Sequence, residues 1–189
     1  MNASNTLKNQ TQSKNNEQTE QAIPKFKIVL LGENGVGKTA FVTRCSSDRF
    51  LEDHVPTANE VNTLIYMTTY GPVCFKIHSW DANWPGQHDG DGYCEEADAC
   101  IIMFDLSQDN SHLFIGSYMK DFQKINDGAM VLVGTKSDIG VIDKKKINYT
   151  VKQLQLSYFP ISSKTADNHE WPLLHLAKKL MKANDLQFI

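Results

Sequence analysis

Long apolar runs are missing from this sequence: no stretch of its 189 residues approaches the length of a membrane span, and none near the start has signal-peptide character. Large charge of one sign is missing too. A formal net charge of −3 gives no basic field, so direct binding to nucleic acid is not expected. Cysteine is scarce. The four present (Cys45, Cys74, Cys94, Cys100) form no C-x-x-C pair and have no histidine at ligand spacing, which argues against a zinc site or a disulfide framework. Cys100 lies in the apolar run 99–104 and reads as a reduced packing residue. The six histidines are scattered. The expectation is a soluble protein of a reducing compartment.

Residues 1–23 contain little to bury. They are mostly Asn, Gln, Ser, Thr, Lys and Glu, a composition that cannot offset its own ordering entropy, so a disordered polar tail is expected. From Pro24 onward apolar runs alternate with amphipathic ones. Strands are expected at Phe26–Leu31, Val61–Thr68, Val73–His78, Cys100–Asp105, Met130–Thr135 and Ser157–Ile161. Those containing Ile28–Leu31, Cys100–Phe104 and Val131–Val133 are continuously apolar, as parallel strands covered on both faces are. Tyr70-Gly71-Pro72 marks a hairpin and one antiparallel edge. Helices are expected at Lys38–Ser46, Ser111–Lys124, Val151–Leu156 or slightly earlier, and Trp171–Ala183, with a short one near Gly92–Ala97 and Asp143 capping another through Lys146. The fold class is α/β: one domain over 24–189, with a mostly parallel six-stranded sheet and helices on both faces.

Gly32-Glu33-Asn34-Gly35-Val36-Gly37-Lys38-Thr39 follows the first strand and opens the first helix, the G-x-x-x-x-G-K-T pattern of a phosphate-binding loop. Backbone N–H groups of such a turn converge on an anion, and the helix presents the positive end of its dipole. Lys38 reaches outer phosphates as a point charge, the Thr39 hydroxyl can hold Mg²⁺, and Ala40 continues the helix. Ligands of open α/β sheets bind beyond the carboxyl ends of strands, so further site residues are sought there. Thr135-Lys136-Ser137-Asp138 and Ser162-Ser163-Lys164 each follow a strand. The Asp138 carboxylate can accept from two adjacent N–H donors on guanine, an edge adenine does not offer. The stems of Lys136 and Lys164 can flank the base plane, and a backbone N–H near Ser163 can bind its carbonyl oxygen.

With these motifs in this order the chain resembles the Ras-superfamily small GTPases, and within them the Ran branch of nuclear-transport GTPases. The Ran-like stretches are Gly37–Val42, Gly71–Phe75, Asp91–Tyr93, Cys100–Leu106, Leu176–Leu180 and Asp185–Ile189. The resemblance implies a P-loop G domain binding GTP or GDP with Mg²⁺. Its partners would be importins, exportins, an exchange factor and a GTPase-activating protein, and its location nucleus and cytoplasm. It carries over Phe50 as an aromatic against the guanine and Thr57 as the first-switch threonine sensing Mg²⁺ and the γ-phosphate. Asn34 stands at a position usually Gly, Asn59 replaces the usual glycine after Thr57, and Thr135 replaces the usual Asn. A hydroxyl does not span two loop groups as an amide does, so weaker nucleotide binding is expected.

The second switch departs furthest. Where the family has Trp-Asp-Thr-Ala-Gly-Gln, this chain reads Ser79-Trp80-Asp81-Ala82-Asn83-Trp84-Pro85-Gly86-Gln87. One register puts Ser79 at the aspartate, Ala82 at the glycine and Asn83 at the water-orienting glutamine. The other keeps Asp81 as the aspartate near Mg²⁺ and Gln87 as the glutamine, but needs a two-residue bulge in the strand. Both leave Lys38 and Thr57 among the groups that would assist cleavage. The reading is a Ran-like switch hydrolysing GTP slowly or with assistance. The alternative is a GTP-binding module that does not hydrolyse. Ending at Ile189, the sequence also carries neither a Ran-type acidic extension nor a prenylation cysteine, so no membrane anchor is expected.

Overall fold

Apolar runs covered on both faces build the centre of a six-stranded sheet. The computed structural model describes residues 22–50, 60–79, 92–140 and 143–189. Strands β1 (Lys25–Leu31), β2 (Glu60–Thr68), β3 (Gly71–Ser79), β4 (Ala99–Asp105), β5 (Ala129–Thr135) and β6 (Ser157–Pro160) lie in the order β2-β3-β1-β4-β5-β6. All neighbouring pairs are parallel except the β2–β3 hairpin. Every residue of β4 is buried, which accounts for its unbroken apolar run.

Alternation along the strands sends side chains into two cores. Ile28, Leu30, Ile101, Met103, Val131 and Val133 pack under helices α1 (Lys38–Ser47) and α4 (Trp171–Leu180), with Phe41, Val42, Leu173, Leu176 and Ala177 facing them. Val29, Leu31, Ile102, Phe104 and Leu132 pack on the opposite side with Ile115 and Phe122 of α2 (Ile115–Ile125) and Ile147 of α3 (Lys144–Leu154). Because five strands run the same way, the carboxyl ends of β1, β3, β4, β5 and β6 lie along one edge of the sheet.

Several local expectations are corrected. Gly92–Ala97 is a pair of turns rather than a helix: Glu95 N–H bonds Gly92 O, Ala97 N–H bonds Cys94 O, and Glu96 has φ +53°. Lys27 Nζ holds both turns through Gly92 O and Glu95 O. The lysine run and the later helical stretch belong to one helix, α3, whose Asp143 cap accepts from Lys145 N–H at 2.8 Å. Residues Ser111–Phe114 form a separate 3₁₀ turn before α2, tied to the end of β4 by the Ser111 hydroxyl, which accepts from Asp105 N–H. Helix α4 stops at Leu180, where Lys182 takes φ +54°. The hairpin turns at Thr69-Tyr70, with Gly71 (φ +98°) already paired to Thr68.

The four cysteines are free thiols. Burial pushes Cys45 up to about 12 and Cys94 up to about 11, so neither ionises near neutral pH. His78 and His175 are held below the ordinary imidazole value of 6.5, first by burial and then by Lys27 and Lys76 for His78, and by Lys179 and Lys178 for His175. The fold therefore prefers both rings neutral. In the unfolded chain they bind protons more readily, so stability falls as pH drops below about 6.5. Thermal unfolding at pH 7.5 and pH 5.5 should show this loss, and the double variant His78→Gln/His175→Gln should show less of it. Equal pH dependence in both proteins removes these imidazoles as the cause.

Candidate nucleotide site

The phosphate loop takes its shape from two glycines. Gly32 passes so close to β4 that a Cβ there would collide with the Met103 carbonyl oxygen. Gly37, with φ +101°, turns the chain into α1. Between them Asn34 is exposed and outside the left-handed region, so the side chain at this position introduces no backbone strain. Val36 is buried and anchors the loop. Lys38 is only 3% exposed, and its Nζ lies 3.0 Å from both Gly32 O and Glu33 O, which places the ammonium inside the curve of the loop. Thr39 sits in the first turn of α1, partly exposed. This cradle suits phosphate: backbone donors, a helix N-terminus and a fixed cation.

Thr135 and Lys136 join this loop to the next strands. Thr135 Oγ1 is 2.5 Å from Val36 O and 3.1 Å from Phe104 O. Only Val36 belongs to the phosphate loop, so the single hydroxyl proton, shared between the two carbonyls, ties that loop to the end of β4. Lys136, at φ +56°, places Nζ 3.0 Å from Gly35 O and 2.6 Å from the buried Asp105 carboxylate. Asp105 is held by Ser107 through both N–H and Oγ.

At the same sheet edge is a cavity of about 280 Å³. Gly37 and Ala40 line it from the phosphate side, and Thr135, Lys136, Asp138 and Ile139 from the β5 loop. Ser163, Lys164 and Phe50 complete it. Asp138 is exposed, with Oδ1 accepting from Ser162 Oγ at 2.6 Å. Ser162 is fully buried and acts on Asp138 from behind. The structure thus draws together every proposed nucleotide-binding residue within the described segments. Thr57, Asn59, Asp81, Ala82, Asn83, Gly86 and Gln87 lie outside them. Of the Mg²⁺ ligands named from sequence only Thr39 is described, and among the described residues no cluster of three or more His, Cys, Asp or Glu adds to it. Thr39 fits a magnesium ion completed by phosphate oxygens and water, a hard cation that protein groups seldom enclose fully.

Ser79 bears on the second-switch register. Strand β3 pairs without interruption from Cys74 opposite Lys25 to Ser79 opposite Leu30, and from Gly71 opposite Thr68 to Ser79 opposite Glu60. The bulge required by the Asp81 register is absent from β3. Ser79 ends the strand, buried, at the ligand-binding edge.

Two positioning residues escaped the sequence reading: Asp105, which anchors Lys136, and Arg44, whose guanidinium reaches the Ser163 and Lys164 carbonyls. A polar residue closing a buried apolar strand was a signal for the first. Nothing in the spacing marked the second.

A phosphate loop at the end of β1 and a base-sized cavity beside it on a parallel sheet define a P-loop nucleotide-binding protein. The Ras family pattern matches residues 27–182, and the chain belongs to the Ras family. Ras-family proteins are guanine-nucleotide switches, generally GTPases that use Mg²⁺ and work with exchange factors and activating proteins; this chain carries that GTP-binding domain.

Replacing Thr135 with Val removes the shared proton and leaves two buried carbonyls without it, at a cost of about 1–2 kcal/mol. Nucleotide release measured with a fluorescent GDP analogue should accelerate, because the loop and the base pocket lose a common fastening. Unchanged release would show that the hydroxyl contributes nothing to the fastening.

Proposed function

We propose that this chain is a Ran-like guanine-nucleotide switch acting in nucleocytoplasmic transport. It hydrolyses GTP slowly or with assistance and engages importins and exportins in its GTP form, in nucleus and cytoplasm. The observation that carries the nucleotide reading is the meeting of Lys38, Asp138, Ser163 and Phe50 around one loop and one cavity. Support for the Ran branch is the sequence of Gly71–Phe75, Cys100–Leu106 and Asp185–Ile189. The last of these folds back on the hairpin: Ile189 N–H bonds Met67 O, Thr69 N–H bonds Gln187 O, and Phe188 stacks on Tyr66 at 4.3 Å.

A second reading, a module that holds GTP without cleaving it, is favoured by the unbulged β3. In that register a serine replaces the aspartate behind magnesium and Asn83 replaces a glutamine one methylene longer. Phosphoryl transfer depends on positioning and electrostatics, so both changes slow it.

Two experiments test these readings. Asp138→Asn should weaken GDP binding by about 1.5–3 kcal/mol, roughly 10- to 150-fold, with little effect on an isolated triphosphate. Equal loss for both ligands removes Asp138 from base recognition. Single-turnover phosphate release, with the nucleotide that co-purifies identified first, decides hydrolysis. Under the Ser79 register Asn83→Ala lowers the rate on the order of 10²-fold while Gln87→Ala leaves it unchanged. GTP that persists intact in the wild type establishes the non-hydrolysing module instead.

A further inference from the structure

We infer that Arg44 is a specificity-positioning residue: from the helix that follows the phosphate loop, it sets the guanine-reading carboxylate of Asp138. This rests on the guanine-nucleotide reading above.

Arg44 lies in the second half of α1 with its side chain only 11% exposed. One edge of the guanidinium grips two successive carbonyls of the loop after β6: Nε donates to Ser163 O at 2.7 Å and Nη2 to Lys164 O at 3.0 Å. The remaining nitrogen, Nη1, donates to Asp48 O at 2.8 Å and Asp48 Oδ1 at 3.2 Å. Asp48 in turn caps α1, its N–H bonding Arg44 O. The planar group is therefore fixed from both sides, by its own helix end and by the loop.

A trans peptide points its C=O and N–H in opposite directions. With Lys164 O held by Nη2, the N–H of the same peptide unit, that of Thr165, points away from Arg44 and donates to Ser162 Oγ at 3.1 Å. That oxygen donates its own proton to Asp138 Oδ1 at 2.6 Å. The Thr165 donor orients the Ser162 hydroxyl, leaving its proton to meet the carboxylate. One rigid peptide thus links Arg44 to Asp138. The neighbouring carbonyl, Ser163 O, is held by Nε. The loop beside Asp138 is thus gripped at two successive peptides by one fork that starts in the phosphate-binding helix.

A lysine keeps the charge but has no planar fork and cannot hold two carbonyls in fixed directions. The test is Arg44→Lys in the full chain, with GDP and inosine diphosphate as ligands. The two differ in the guanine 2-amino group, one of the donors that Asp138 reads. Arg44→Lys should weaken GDP binding about tenfold and inosine diphosphate binding much less, narrowing the preference. In an Asp138→Asn background it should add little further loss, since both act through one carboxylate. Asp48→Ala, which leaves both loop carbonyls gripped, should keep the wild-type preference. Equal weakening of both ligands, or full additivity with Asp138→Asn, overturns the positioning role while the guanine reading stands. Wild-type protein that does not favour GDP over inosine diphosphate overturns both.

Discussion

The fastening made by Thr135 and Lys136 holds the site together. Two consecutive residues at the end of β5 engage the phosphate loop, through Val36 O and Gly35 O, and the end of β4, through Phe104 O and Asp105. Thr135 is nearly fully buried and Asp105 completely so. In such surroundings an unmet carbonyl or carboxylate is costly, so these contacts fix the relative positions of three loops more firmly than surface pairs would. The left-handed backbone of Lys136 then redirects the chain and carries Asp138 to the cavity. Phosphate recognition and base recognition share this joint.

The joint depends on the sheet. Met103 of β4 and Val133 of β5 stand side by side, as do Asp105 and Thr135 at the strand ends, while β1 pairs with β4 through Leu31 opposite Ile102. A one-residue slip of β5 would turn Thr135 from one face to the other. Burial on both faces prevents the slip, because Val131 and Val133 belong to one core and Leu132 to the other. Apolar packing therefore sets the register, and the register brings a hydroxyl and an ammonium to the carbonyls they serve.

Much of this was readable from residues alone, and the failures have physical causes. Parallel strands buried on both faces leave continuous apolar runs, and Gly32–Thr39, Asp138 and Ser162–Lys164 carry their chemistry in short local spacing. The turns at Gly92–Ala97 were misread as helix because what stops the helix there is distant in sequence: Lys27 Nζ captures the Gly92 and Glu95 carbonyls. Arg44 was invisible for a similar reason, since its partners lie on a loop more than a hundred residues away along the chain. The partners of Thr135 were not legible because counting donors omits geometry. One hydroxyl between two carbonyls 31 and 99 residues away can contact both when packing places them together.

Holding nucleotide and cleaving it draw on different parts of this architecture. The groups that hold it stand at the ends of β1, β5 and β6, fastened to each other by Thr135, Lys136 and Arg44. The second-switch residues that would assist cleavage follow β3, whose last residue, Ser79, is paired on both sides with no bulge. Taking Asp81 to the place of Ser79 is a shift of two residues, which would carry Ser79 into the buried place of Ile77 and replace every pairing that β3 makes with β1 and β2. Substitution at the second switch can therefore alter hydrolysis while the phosphate loop and the base cavity, fastened by other strands, keep their geometry. The sheet thus separates nucleotide binding from whatever the second switch contributes, because the two depend on different strand ends.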